Sequence, residues 1–232
     1  MGASHHPEQE RDRPGHRHIP GGLDRRHEGL EAFVAGVATE LARVEPERLA
    51  AQAGVGYDPE AQEFAVRLYG RAYAVTYPSL RVREVGAERQ EPTLWLRVVL
   101  AHYFRTADGT PLTGRWVSFR DLPGGLMYNR AFQGYSGDLL ARGFGQDFGR
   151  LREPAARLAA KPLTFGDVSF WFDVLPRVPI AVVCYQGDDE LPSTAQLLFD
   201  ASAPHYLPTD ALAALGGRLA RLLLRESRAS AP

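Results

Sequence analysis

Cysteine is nearly absent from this sequence: the 232 residues contain one, Cys184. A lone cysteine excludes an internal disulfide and any all-cysteine metal or iron–sulfur site within one chain. Lysine is as scarce. Of the 27 Lys and Arg residues all but Lys161 are arginines, so cationic contacts here are planar, permanently charged forks. These arginines are spread along the whole chain beside abundant Ala, Gly and Pro, a bias that codon usage in a GC-rich genome explains. No apolar run approaches the ~18 residues of a membrane span. The start Met1-Gly2-Ala3-Ser4-His5-His6 lacks a secretory apolar core. Formal charge is -1 at pH 7, which supplies no global field toward nucleic acid or an anionic membrane. At 44% hydrophobic and 24% charged, the composition is that of an ordinary globular domain and excludes collagen-like, mucin-like and wholly disordered chains. A soluble cytoplasmic protein with no nucleic-acid and no membrane partner is expected.

Residues 1–22 stand apart. His5, His6, His16 and His18 lie among Glu, Asp, Arg and the prolines Pro7, Pro14 and Pro20, with too little apolar surface to offset ordering entropy. A disordered tail is expected, although His16 and His18 offer two imidazoles to a metal. From residue 23 to 226 the pattern is that of one domain, and 227–232 reads as a flexible end. Leu30, Phe33, Val34, Val37, Leu41 and Val44 form a helical stripe. Pro46 opens a short second helix closed by Gly54 and Gly56. Phe64–Leu68 and Tyr73–Tyr77 alternate around Gly70, predicting an antiparallel hairpin, and Leu80 to Val85 adds a further strand. Leu94 to Phe104 predicts a buried helix.

Residues 109–125 read as loop around a short Trp116-Val117-Ser118-Phe119 segment. Ser136 is placed to cap a helix over Gly137 to Arg142, and another helix, kinked or started at Pro154, is expected over Gln146 to Ala160. Val168 to Val174 alternates as a strand. Ile180 to Tyr185 is a continuous apolar run typical of a central, doubly covered strand, and Leu197-Leu198-Phe199 is a third. Thr209 or Asp210 is placed to cap a last helix with the stripe Leu212, Leu215, Leu219, Leu222 and Leu223. Strands cluster instead of alternating with helices, so the expected class is α+β: a mainly antiparallel sheet with packed helices in a single domain.

Familiar motifs fail on spacing. Gly143-Phe144-Gly145-Gln146-Asp147-Phe148-Gly149 carries its last glycine one residue too late for a dinucleotide fingerprint and follows a helix. Gly134-Tyr135-Ser136-Gly137-Asp138 has Asp138 where a nucleophile elbow needs glycine. Cys184 sits in the most apolar strand and reads as a core thiol. Arg218, Arg221 and Arg225 share a face of the last helix, which a solvated helix end explains without nucleic acid.

Two composite clusters carry chemistry. Asp188, Asp189 and Glu190 follow the central strand, Asp200 ends the next strand, and His205 and Tyr206 follow it. Carboxylates with an imidazole suit a divalent cation or acid–base work; an acidic turn with Asp200 capping backbone explains them as well. The second cluster is Arg115, Trp116, Tyr128, Arg130 and Tyr135, with Arg120, Asn129, Phe132 and Gln133 beside it, on glycine-flanked loops. Aromatic faces with arginines suit a planar or anionic small ligand. Anchoring of loops onto the core is the alternative.

The segments Gly114-Arg115-Trp116-Val117-Ser118-Phe119-Arg120, Leu122-Pro123-Gly124-Gly125, Gly166-Asp167, Pro176-Arg177-Val178-Pro179 and Gly187-Asp188-Asp189-Glu190 carry a resemblance. So does the run from Leu198-Phe199-Asp200 through His205-Tyr206 to Thr209-Asp210. Through them the chain resembles, over roughly Leu30 to Leu224, a prokaryotic family known as domain of unknown function 3786. The resemblance implies no reaction. It implies that both clusters belong to a shared domain, and that some relatives carry an N-terminal cysteine-rich, iron–sulfur-type module. This chain has only Cys184, hence no iron–sulfur cluster of its own.

Two functions are therefore expected. One is a pocket for a small ligand or divalent metal, open to catalysis, between the aromatic segment and the acidic loops. The other is a non-catalytic accessory domain for a metalloprotein partner. Convergence of Trp116, Tyr128 and Arg130 with Asp189, Asp200 and His205 on one concave surface discriminates between them.

Overall fold

A computed structural model describes residues 21–86 and 93–229, with side chains from His27 onward. The expected tail falls outside the described residues up to residue 20, and helix α1 (Gly21–Leu41) already includes residues 21 and 22. Its buried stripe Val34, Val37 and Leu41 packs on α3 (Leu94–Thr106). Arg97 to Glu31 at 2.7 Å and Arg105 to Glu40 at 2.9 Å trim that contact. Both pairs are partly solvated, so burial of the stripe and not charge holds the helices together.

Between them, α2 (Pro46–Ala53) starts on proline and stops at Gly54. A four-stranded meander follows: β1 (Gly56–Asp58), β2 (Glu63–Leu68), β3 (Arg71–Thr76) and β4 (Val82–Glu84), antiparallel in that order. Gly56 thus starts a strand where it was expected only to end a helix. The β2–β3 hairpin pairs Leu68 with Arg71 across Tyr69 and Gly70, whose φ of 50° and 79° give the turn the right-handed twist of its strands.

The second sheet comprises β5 (Trp116–Ser118), β6 (Lys161–Pro162), β7 (Val168–Leu175), β8 (Val178–Tyr185) and β9 (Thr194–Asp200). Its order is β5-β9-β8-β7-β6, with every neighbouring pair antiparallel. The apolar run is the middle strand, as expected, and all of β8 but Tyr185 is buried. Four helices complete this half: α4 (Gly125–Tyr135), α5 (Gly137–Phe144), α6 (Arg152–Arg157) and α7 (Thr209–Arg228). The 146–160 segment, expected to be helical with a kink or a start at Pro154, is a 3-10 turn, Phe148–Leu151, followed by α6, which begins two residues before that proline. Helix α7 also continues past 226, where the flexible end was expected to begin, to Arg228.

One contiguous core spans both sheets. The Tyr69 amide donates to the Val174 carbonyl at 3.1 Å, and its hydroxyl donates to the Leu215 carbonyl of α7 at 2.8 Å. The fold is α+β in a single domain. Among the described residues no helix is long and apolar enough to cross a membrane.

Candidate functional site

The turn before α4 decides where the aromatic cluster goes. Residues 119–121 make a 3-10 turn, Gly124 takes φ of 72°, and α4 begins at Gly125. A Cβ on Gly125 would lie 1.9 Å from the Phe119 carbonyl oxygen, so only glycine permits this tight entry. Tyr128, Phe132 and Tyr135 then recur at i, i+4 and i+7 and share one face of a helix. The expected loop is a helix.

Phe132 is buried between Phe119, at 4.1 Å in a stacked pair, and Phe199 at 6.0 Å. That seats α4 on the inner face of the second sheet. The Phe132 and Tyr135 rings lean on the middle of α7, where Gly216 and Gly217 leave the room. A Cβ there would stand 2.9 Å from Phe132 and 2.7 Å from Tyr135. At the other end the Thr209 hydroxyl donates to the Pro123 carbonyl at 2.7 Å. Thr209 therefore ties two helices together and does not cap its own. Ser136 does hold the N-cap position of α5, as expected, but its hydroxyl donates back to the Phe132 carbonyl at 2.6 Å and not to its own helix.

The two helices run side by side and leave a groove of about 620 Å³ between them. Pro123, Gly124, Thr209 and Asp210 line one end, Tyr128 and Ala214 the middle, and Tyr135 and Arg221 the other end. Tyr128 and Tyr135 lie 6.3 Å apart, ring to ring. Burial, with the Tyr128 hydroxyl beside it, holds the Tyr135 phenol above its ordinary range, and Arg221 acts in the opposite sense. Among the described residues no carboxylate pairs with Arg221. A guanidinium with free N–H edges next to two phenol rings is equipped to take an oxyanion attached to a flat group.

Other expected members are elsewhere. Arg130, two residues from Tyr128, projects from another side of α4 and is exposed. Trp116 pairs in register with Asp200, one position from the inward Val117–Phe199 pair. It therefore lies on the outer face of the sheet, edge-on to Trp171 at 5.0 Å. Arg115 is exposed at the start of that strand.

The acidic cluster divides. Strands β8 and β9 are antiparallel neighbours joined by the 186–193 connection, so Asp188, Asp189 and Glu190 sit at one end of β9 and Asp200 at the other. Seven residues of strand put them about 20 Å apart, at ~3.3 Å per residue. Asp188 closes its own turn, accepting from the Glu190 amide at 2.9 Å and the Leu191 amide at 2.8 Å. Its pKa is lowered by those bonds, that from Leu191 foremost. Asp189 and Glu190 are exposed.

Asp200 is fully buried and saturated. Oδ1 accepts from the Thr113 amide and hydroxyl at 3.0 and 2.9 Å and from the Ser202 amide and hydroxyl at 2.9 and 2.7 Å. Oδ2 accepts from the Gly114 amide at 2.7 Å. Burial pushes its pKa up, but the bonds from Ser202 and Thr113 outweigh burial and leave it below the usual carboxylate range.

His205 meets Asp108 at 2.7 Å and the Thr110 hydroxyl at 3.2 Å, and the Tyr206 hydroxyl donates to the Thr110 carbonyl. These contacts clasp the irregular 107–115 segment. Among the described residues no three His, Cys, Asp or Glu side chains are placed to hold a metal ion. Among the described residues the 188–190 acids and Asp200 stand at opposite ends of β9, so the expected convergence of the acidic residues is not seen. Cys184 is buried, and burial pushes its thiol up to about 12.

Sequence reasoning assigned Arg221 to a solvated face and Asp210 to a helix cap, and missed both as groove residues. The signal was the Gly216-Gly217 pair inside a helix, where small residues mark a close approach.

A family model, Domain of unknown function (DUF3786), matches residues 45–222. The chain belongs to this family. That match takes in α4, α7 as far as Leu222, the groove between them and the Asp200 clasp. No curated protein and no solved structure matches the chain.

Proposed function

We propose that this domain binds a small flat molecule carrying an anionic group, of the aromatic carboxylate class, in the α4–α7 groove. The observation that carries the reading is Arg221, without a carboxylate partner among the described residues and beside Tyr128 and Tyr135. A groove of about 620 Å³ lies within the ~300–1,000 Å³ usual for small-molecule sites. The rings of Tyr128 and Tyr135 flank the flat body of the ligand, Arg221 holds its carboxylate, and Asp210 accepts a hydroxyl or N–H at the far end. Neither the 188–190 acids nor the Asp108–His205 pair takes part.

The test is thermal unfolding with 4-hydroxybenzoate, and with 4-hydroxybenzyl alcohol as the uncharged control. The carboxylate raises the melting temperature of the native chain and of Arg130→Ala, but not of Arg221→Ala; the alcohol does little. Equal response of all three proteins, or none from any, overturns the reading.

A second reading, an accessory domain that docks a metalloprotein partner, is supported by one feature. Leu126 and Met127 on α4 are 63% and 92% exposed beside the groove, and exposed methionine is suited to adaptable protein contacts. Under that reading Met127→Asp abolishes capture of a partner while leaving the 4-hydroxybenzoate response intact.

A further inference from the structure

A second cavity opens beside the groove, where the last turns of α7 meet the first sheet. It measures about 210 Å³ and is enclosed by β2–β4, the first turn of α3 and the last turns of α7. Its floor is apolar, from Leu68, Leu96, Leu158 and Leu222. Three guanidiniums surround that floor: Arg71 from β3, and Arg218 and Arg225 two turns apart on α7.

Their existing partners differ. Arg71 reaches Glu84 at 3.1 Å and Arg225 reaches Glu226 at 3.2 Å. Arg218 has no carboxylate partner among the described residues; its guanidinium lies 4.5 Å from the centre of the Trp95 ring. Stacking fixes the plane of that group and leaves its N–H edge for a ligand. The Tyr73 hydroxyl lies within the same field. Burial and Glu84 hold its pKa up while Arg71 and Arg218 draw it down. Thr93 and Trp95 bring the start of α3, whose aligned amides add partial positive charge.

We propose that this cavity binds a small organic phosphate, a phosphomonoester on a body of three or four carbons. Each guanidinium has five N–H donors and spends only a part of them on its glutamate. Donors arriving from a strand and from two turns of a helix suit the three terminal oxygens of a phosphate better than the two coplanar oxygens of a carboxylate. Glu84 accepts a hydroxyl of the body, and the leucine floor takes its carbons. The volume falls short of the ~300 Å³ at which drug-sized sites begin, which excludes a dinucleotide.

Isothermal titration of the full chain at fixed ionic strength tests this, with glycerol 3-phosphate, inorganic phosphate, glycerol and malate as probes. Glycerol 3-phosphate binds best, inorganic phosphate more weakly, and glycerol and malate at least tenfold more weakly than glycerol 3-phosphate. Arg218→Gln and Arg225→Gln each weaken glycerol 3-phosphate at least tenfold with an unchanged far-ultraviolet circular dichroism spectrum. Arg120→Gln, an exposed arginine elsewhere, leaves binding unchanged. Malate binding as tightly as glycerol 3-phosphate overturns the phosphate assignment. No binding of glycerol 3-phosphate, or equal losses in Arg120→Gln and Arg218→Gln, overturns the site.

Discussion

The Asp200 clasp and the α4–α7 groove are both built from polar side chains, and they use them in opposite ways. In the clasp every carboxylate oxygen of Asp200 is occupied, by donors from Thr113, Gly114 and Ser202. Nothing is left over for a ligand. In the groove Arg221 is solvent-facing and has no carboxylate partner among the described residues, next to two phenols. A buried polar group with all its partners is architecture, because losing one of them costs the full desolvation of the others. A charged group held open by a rigid wall is available for recognition.

The largest expected effect breaks the clasp. Asp200→Asn replaces an all-accepting group by one with two donors aimed at other donors, and should cost about 3 kcal/mol. That corresponds to a melting temperature roughly 6–12 °C lower for a domain of this size. Arg221→Ala should change stability by no more than about 0.5 kcal/mol. Thermal unfolding of the two variants side by side checks the contrast.

Next comes the wall of the groove. Gly216→Ala drives a methyl into Phe132, whose ring would stand 2.9 Å from the new Cβ, and should cost roughly 1–3 kcal/mol by overpacking. Loss of 4-hydroxybenzoate binding should accompany it, since α4 must move away from α7. Chemical denaturation and the same ligand titration read both effects.

The smallest effect is acid sensitivity of the clasp. Asp108 is lowered to about 2, by the Thr110 hydroxyl and amide first and by His205 after them, and Asp200 is lowered as well. Both folded values lie below the unfolded one, so the stabilisation is complete above the ordinary aspartate value near ~3.9. It is lost as pH falls from there toward 2. Melting temperature against pH should drop across this window, and Asp200→Asn should flatten the slope.

Much of the fold was legible in residue order. The continuous Ile180–Tyr185 run did become the middle strand, and the leucine stripe of the last helix is buried at Leu212, Leu215, Leu219 and Leu223. Helix α4 was obscured because Gly124, Gly125 and Gly134 read as loop punctuation, although Tyr128, Phe132 and Tyr135 already had helical spacing. The acidic pocket failed for a reason that was also readable. Two adjacent strands joined by a short connection must be antiparallel, which sends the 188–190 turn and Asp200 to opposite ends. What sequence order did not carry was Arg221 in the groove. That depends on two glycines letting Phe132 and Tyr135 approach α7, a tertiary contact with no local period.

Under the proposed function the groove recognises the ligand and the clasp only supports the fold. Backbone amide chemical shifts of the full chain, recorded during titration with 4-hydroxybenzoate, test it most directly. Shifts confined to residues 123–135 and 209–221 are expected, with 107–115 and 200–206 unmoved. Shifts centred on 107–115 and 200–206, or no shifts at all, would contradict it.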